Sequence, residues 1–405
     1  MDYVFSDKTK KITLGVGVVG LLLFLLGILF DNNEYATLVA EDGHNYGSIQ
    51  RIWVSLLTNS IFFFFISLAM LFFVALQYAA EVSWSVVFKR VYEAIMSALP
   101  LMAALVVLII AVGQVGGHHI YHWQHYEVGS GDHLLDHKAF FFSPAFYWPV
   151  LLFFMGAFWF FVNYYRKQSL KEDEEGGTRL HFKNFAKSAF FLVIFGYGSS
   201  VITWQIIMSV DAHWFSTLFG WYVFSGMWLV GMVYATLLII FLKSKGLLTI
   251  AKNGHLHDMG KWMFALSFLW TYLFFSQFML IWYADIPEET TYYVARINDY
   301  PWLYWGMFFL NFAVPMLALM DADAKRNRIA LVIVGCLIII FHWIDVFMMI
   351  SPGAMKTEAS IGILEIGSFF LFLGIFTFIV LKALAGRPLV VKNHPYLEEG
   401  KNIHH

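Results

Sequence analysis

Two groups of ionisable residues stand where a lipid environment makes them costly. The stretch VITWQIIMSVDAHWFSTLFGWYVFSG, residues 201–226, leaves one apolar run, turns at Asp211-Ala212-His213 and enters another. An acid and an imidazole thus sit where two spans meet. In FHWIDVFMMISP, His342 and Asp345 are three apart and share adjacent parts of one helical surface. Asp345 lies five residues from the outer end of its span, and Glu365 about five from the outer start of the next. At about 1.5 Å per residue, each is expected roughly 7 to 8 Å deep. With Asp211 and His213 they would form a polar file near the outer face. Membrane proteins keep such groups to move protons or to hold a polar ligand. The plainer readings are a wet turn at Asp211 and His213, and a packing pair of Asp345 with His342.

At the opposite face, Gln77 and Glu81 are four apart on one helical surface, and Glu93 lies one turn into the following span. Antiparallel packing would bring Glu81 and Glu93 to one depth beside Lys89 and Arg90. That arrangement is either a proton inlet or a collar of snorkelling ion pairs.

The elements that position these residues follow from composition. With 60% hydrophobic and 13% charged residues and a mean hydropathy of +0.66, the chain is far too apolar for a soluble domain, which carries about 25% charged residues. Ten stretches are long enough to cross a hydrocarbon core: 11–31, 54–80, 91–113, 143–165, 185–209, 215–242, 260–284, 302–320, 329–350 and 360–384. Of the 26 Lys and Arg residues, only Arg51, Lys138, Arg296 and Lys356 fall in the odd-numbered loops; the other 22 lie in the even loops and the tails. The positive-inside rule therefore places both termini in the cytoplasm and the acidic and His-rich loops outside. The first apolar run lacks a small-residue cleavage site and reads as a retained span. The expected setting is a bacterial inner membrane.

Several chemistries are excluded. Gly15-Val16-Gly17-Val18-Val19-Gly20 spells a dinucleotide fingerprint, but no strand precedes it. Glycines there serve close approach of another helix. Cys336 stands alone and ligates no cluster. The outer loop GQVGGHHIYHWQHYEVGSGDHLLDHK holds His118, His119, His122, His125, His133 and His137. His118, His122 and His125 can share one face of a short helix, but the spacing matches no strong zinc signature, so no metal is assigned. His342 is the one histidine clearly within a span, which argues against bis-His haem and a haem-copper core. The segments RKQSLKEDEEGGTRLHFK and KSKGLLTIAKNGHLHDMGK read as flexible hydrated connectors, with His255 and His257 in water. No span shows the paired Gly and Pro of a transporter's broken helices. Nothing points to nucleic acid.

MSVDAHWFSTLFGWYVFSG, IYHWQHYEVGSGDHLLDHK and, more weakly, the tail HPYLEEGKNIHH resemble the second, shorter NrfD-like membrane subunit of alternative complex III, a bacterial quinol:electron acceptor oxidoreductase. The resemblance implies an all-α integral membrane fold similar to the polysulfide reductase membrane subunit. It has two four-helix bundles, spans 2–5 and 6–9, flanked by spans 1 and 10. The chain then divides into 1–52, 53–210, 211–352 and 353–405. The resemblance also implies partners: a homologous larger membrane subunit, an iron-sulfur subunit, c-type cytochromes, small membrane subunits and a terminal oxidase. Haem c and iron-sulfur clusters would belong to those partners, and menaquinol or ubiquinol would be the substrate of the complex. No redox centre is expected in this chain. Two positions depart from the family pattern: Gln205 stands where an acid is common, and AFFFSPAFYWP after Lys138 lacks an expected Arg.

On this reading the chain docks its homologue and offers a proton path. Glu81 and Glu93 would be the inner inlet, and His342, Asp345, Glu365, Asp211 and His213 the outer exit. The alternatives are a quinol-binding subunit, with Asp211 and His213 beside Trp204, Trp214 and Trp221 as an aromatic wall, or a scaffold without transport.

Overall fold

The computed structural model describes residues 2–31 and 47–402, so most of the acidic connection after the first span lies outside it. In chain order the helices are α1 (Asp7–Asp31), α2 (Gly47–Ala79), α3 (Lys89–Met96), α4 (Leu99–Gln114), α5 (His133–Phe142), α6 (Pro144–Glu175), α7 (Arg179–Ile206) and α8 (Phe219–Ser244). They continue with α9 (Asn253–Ala284), α10 (Pro287–Asp299), α11 (Pro301–Ala318), α12 (Ala322–Arg326), α13 (Arg328–Met355), α14 (Ile363–Ala385) and α15 (Leu397–Lys401). Among the described residues the only β pairing is an isolated bridge from Asp2 to Pro388, which joins the segment before α1 to the one after α14.

This is an all-α membrane protein. Nine helical stretches of the described residues are long and apolar enough to cross a membrane: α1, α2, the α3–α4 run, α6, α7, α8, α9, α13 and α14. The remaining stretch expected from sequence, the eighth at 302–320, is α11, whose 18 residues include Asn311 and Pro315 and span about 27 Å.

The core is built around α2. Its FFFFISLAMLFFVAL segment is apolar on every side, and its most apolar window is 94% buried against 28% for that of α1. A helix without a polar face belongs inside. Accordingly α2 touches α4, α7, α8, α13 and α14. Helices α2, α4, α6 and α7 close one ring of contacts, and α8, α9, α11 and α13 close another. The rings share the seam where α2 meets α8.

α1 lies along α14, and glycines allow it. A Cβ on Gly20 would stand 2.2 Å from the Leu371 nitrogen, and one on Gly374 would stand 2.4 Å from the Gly17 nitrogen. Gly15, by contrast, has nothing within 4 Å. The fingerprint-like glycines are thus partly a helix contact. Gly20→Leu is expected to cost about 1–3 kcal/mol by overpacking, read as a lower unfolding midpoint in detergent. Gly15→Leu should leave that midpoint in place; equal effects would refute the contact's importance.

Three expectations about connections are corrected. The α6–α7 segment is not a flexible linker: its charged residues continue the helices, as the Lys171–Glu175 pair at 3.1 Å illustrates, and only Gly176-Gly177 turns. Lys and Glu are good helix formers, so charge alone does not mark a loop. His255 is not in water but buried, with Nε2 bonded to the Gly400 carbonyl at 2.8 Å. Helix bounds differ from those expected, although no span among the described residues is broken by paired Gly and Pro. The third span is interrupted at Ser97-Ala98 ahead of Pro100, and α13 runs five residues past its expected end to include Pro352-Gly353.

Candidate functional site

The second ring holds the site, and its construction begins at a proline. Pro352 has no N–H, so the Met348 carbonyl four residues earlier loses its helical partner. Arg296, from α10, supplies the replacement: Nε donates to the Met348 oxygen at 2.8 Å and NH2 to that of Met349 at 3.1 Å. The guanidinium also lies 3.4 Å over the Tyr292 ring and donates to Asp211 at 2.8 Å. Gly353 completes the fit, because a Cβ there would stand 2.8 Å from the Asp211 carboxylate. Burial opposes the guanidinium charge, but Tyr292 and Asp211 outweigh it and raise the Arg296 pKa.

Arg296, Asp211, His213 and Trp214 line a cavity of about 550 Å³ together with His119, His122 and Tyr292. Trp214 stacks on Tyr292 at 4.1 Å. Neither Trp204 nor Trp221 lines it, so the expected aromatic wall consists of Trp214 and Tyr292 instead. Lys138 fixes the turn by donating to the Ala212 and Trp214 carbonyls at 2.6 and 3.0 Å, and burial pulls its pKa down to about 8. His213 pairs with Asp132. Partial burial pushes the Asp132 carboxyl up, but the His213 imidazole and the Leu134 and Leu135 amides hold it below its usual range.

Behind Arg296, a cavity of about 10 Å³, room for roughly one water, is shared by Arg296, Tyr292, Tyr222, Gln277 and Asp345. Asp345 is buried, accepting from the Tyr222 hydroxyl and from Trp270 Nε1 at 3.1 Å. No cation pairs with it among the described residues. It can therefore gain or lose a proton without breaking an ion pair. His342 faces the same helices: Nδ1 donates to Asn311 Oδ1 at 2.7 Å, its ring lies 4.9 Å from that of Trp270, and Nε2 has no hydrogen-bond partner. A second one-water space, also about 10 Å³, touches both His342 and Asp345.

The sequence-derived residues thus fall into separate groups. Asp345 and His342 do not bond each other. Glu365 does not share Asp345's depth: it is the third residue of α14, whereas Asp345 lies ten residues, about 15 Å, from the end of α13. Glu365 grips Arg51 through Nε at 2.7 Å and NH2 at 2.8 Å, and accepts from the Gly362 amide at 2.8 Å. It is a buried ion pair and a helix cap. Glu365→Ala should lower stability toward the about 3–5 kcal/mol typical of a broken buried pair, measured by unfolding in detergent. Full stability in that variant would contradict the anchoring role.

At the other end, α2 stops at Ala79 and Glu81 adopts φ 50, so it leaves the helical face of Gln77 and is half exposed, hydrogen-bonded by Tyr396 at 3.1 Å. Glu93 is buried between Arg90 at 2.8 Å and Arg387 at 3.5 Å. Here the ion-pair collar is what forms. In the His-rich segment, His118 is buried and bonds the Ile109 carbonyl at 2.8 Å, while His122 and His125 lie in a separate short turn of 3-10 helix, and burial lowers the His118 pKa. These three do not share one helical face.

No protein-family model matches the sequence, and no characterised protein matches it either. The residue that sequence reasoning missed is Arg296. A signal existed, since it is one of four cations on the cation-poor face. Three of those four, Arg51, Lys138 and Arg296, prove to be buried or half-buried anchors.

Proposed function

We propose that this chain is the second NrfD-like membrane subunit of an alternative complex III, a respiratory quinol:electron acceptor oxidoreductase, in a bacterial inner membrane. In this reading it has ten spans, α11 included, with both termini cytoplasmic. It binds its larger homologue, while an iron-sulfur subunit and c-type cytochromes carry the electrons. The motifs around Asp211 and His122 and the 22-to-4 charge bias support that assignment.

Its own contribution is a proton path. The observation that carries this is a buried carboxyl that pairs with no cation among the described residues, Asp345, one water-sized cavity away from the Arg296–Asp211 pair at the floor of the large cavity. Asp345 and His342 act as the exchanging groups. Asp211, Arg296 and His213 form the mouth. Glu365 and Glu93 serve as anchors, and Glu81 is the acid reachable at the basic end. The test is quinol-driven proton release from vesicles holding the complex with Asp345→Asn, combined with the c-type haem and iron-sulfur spectra of what copurifies. Absence of those spectra would refute the assignment to this complex.

A second reading, quinol binding within this chain, is favoured by the size of the large cavity. About 550 Å³ falls in the range of small-molecule sites, about 300–1,000 Å³. Trp214 on Tyr292 would face the ring, and Asp211 and His213 would take its protons. Photoaffinity labelling with a quinone analogue distinguishes the two: an adduct on α10 or the 207–218 turn supports this second reading, and labelling confined to the homologue refutes it.

A further inference from the structure

At the basic end, three side chains meet that the proton path does not use. Glu172 lies in the last turn of α6 and His181 in the first turn of α7, brought together by Gly176 at φ 66 and Gly177 at φ 73. Both values lie in the left-handed region that favours glycine. His394 arrives from the tail that follows α14. All three are buried.

Among the described residues their hydrogen bonding is incomplete. Glu172 Oε2 is engaged by Lys89 at 2.8 Å and by the Tyr78 hydroxyl at 3.0 Å, but Oε1 has no hydrogen-bond partner. Neither ring nitrogen of His181 has one. His181 Nδ1 comes only within 3.6 Å of Glu172 Oε1, beyond hydrogen-bond range. On His394, Nδ1 accepts from the Tyr396 amide at 3.3 Å, which in the neutral ring puts the proton on Nε2, so binding an ion through Nε2 moves that proton to Nδ1 and gives up the long Tyr396 contact. One ligand atom from each residue lies within 4.8 Å of the other two. Leaving buried polar atoms without partners is costly. Glu172 and one nitrogen of each imidazole can therefore turn a lone pair toward one shared electron-pair acceptor.

We propose that Glu172, His181 and His394 bind a divalent late transition-metal ion, Zn²⁺ fitting best, and that the ion staples the carboxy-terminal tail to the α6–α7 hairpin. Two imidazoles and a carboxylate form a borderline N/O set suited to Zn²⁺, with no thiolate present to select a softer ion. Bonds of about 2.0–2.2 Å need ligand atoms about 3.5 Å apart, so a small inward shift closes the site. Lys89 and Tyr78 hold the far carboxylate oxygen and fix its orientation. Lys89 is the cation that opposes the ion. Its charge is met at Oε2, and Glu81 Oε1, 4.0 Å from His181 Nε2, adds negative charge.

The tail is already laid out to receive the ion. The Lys392 amide donates to Asp173 Oδ1 at 2.8 Å, Asn393 to the Asp173 carbonyl at 2.7 Å and Ser83 to Glu399 at 3.1 Å. Val391 and Leu397 pack on Val86. The ion would close this strap across elements remote in the chain, and its presence does not depend on the respiratory reading.

The test uses the full chain in detergent, stripped with EDTA and titrated with Zn²⁺. One ion per chain is expected by calorimetry, with affinity at least about 100-fold weaker in His394→Ala and Glu172→Gln. Hydrogen exchange of residues 387–402 should slow at least about tenfold with Zn²⁺ and recover with EDTA. If a variant fails to fold, exchange in the wild-type chain with and without Zn²⁺ still decides the matter. Substoichiometric binding, equal affinity in folded His394→Ala, or tail exchange indifferent to Zn²⁺ would each overturn the site.

Discussion

Replacing Asp345 by Asn is expected to reduce proton translocation on the order of a hundredfold while leaving the complex assembled, because an amide cannot take up and release the proton that a positioned carboxyl exchanges. The shape is kept, and the Tyr222 hydroxyl can still donate to the amide oxygen. Trp270 Nε1, now 3.1 Å from Asp345 Oδ2, would face an NH₂ group. The resulting unmet donor costs about 1–3 kcal/mol, enough to lower the unfolding midpoint but not to abolish folding. Tyr222→Phe supplies the graded control: it removes one donor, leaves the carboxyl in place and should retain most of the pumping. The measurement is the ratio, to quinol oxidised, of protons released in vesicles beyond those that quinol oxidation itself liberates. An unchanged ratio in assembled Asp345→Asn would remove the proton path from this chain and leave a scaffold.

Arg296→Ala should be the most destabilising single change in the second ring. It removes donors to Met348, Met349, Tyr292 and Asp211 together. The Met348 carbonyl has no substitute within the helix, because Pro352 carries no hydrogen to give it. Loss of a buried charge partner typically costs about 3–5 kcal/mol. Asp211, with its side chain 20% exposed, is partly rescued by water, so its share falls at the low end. Adding Asp211→Asn should recover that share but not the helix carbonyls. The double-mutant cycle should therefore show a coupling of about 0.5–3 kcal/mol. Strict additivity, or wild-type unfolding of Arg296→Ala in detergent, would show that Arg296 does not hold the floor of the cavity.

Much of the architecture was legible because lipid imposes a one-dimensional code. Backbone groups must be satisfied within each span, so apolar length alone marks helices. Nine of the ten stretches appear as apolar membrane-length helices, and the eighth as the shorter α11. Boundaries were less legible. α13 passed its expected end because Pro352 ordinarily stops a helix, and only Arg296, more than fifty residues away, satisfies the freed carbonyl. The depth assigned to Asp345 moved with that boundary. His342 and Asp345 were found by spacing, yet their partners Asn311, Tyr222 and Trp270 come from three other helices.

The sequence by itself determined that this is a helical membrane protein, which residues are costly in lipid, and how unevenly its cations are divided, since each of these depends on composition and local periodicity. Only the tertiary structure decided which acids meet a cation and which do not. Glu365, Glu93 and Asp211 met arginines, while Asp345 met a hydroxyl and an indole. The physical reason is that the cost of a buried charge is set by its neighbours in space, and contacts across a bundle leave no trace in spacing along the chain.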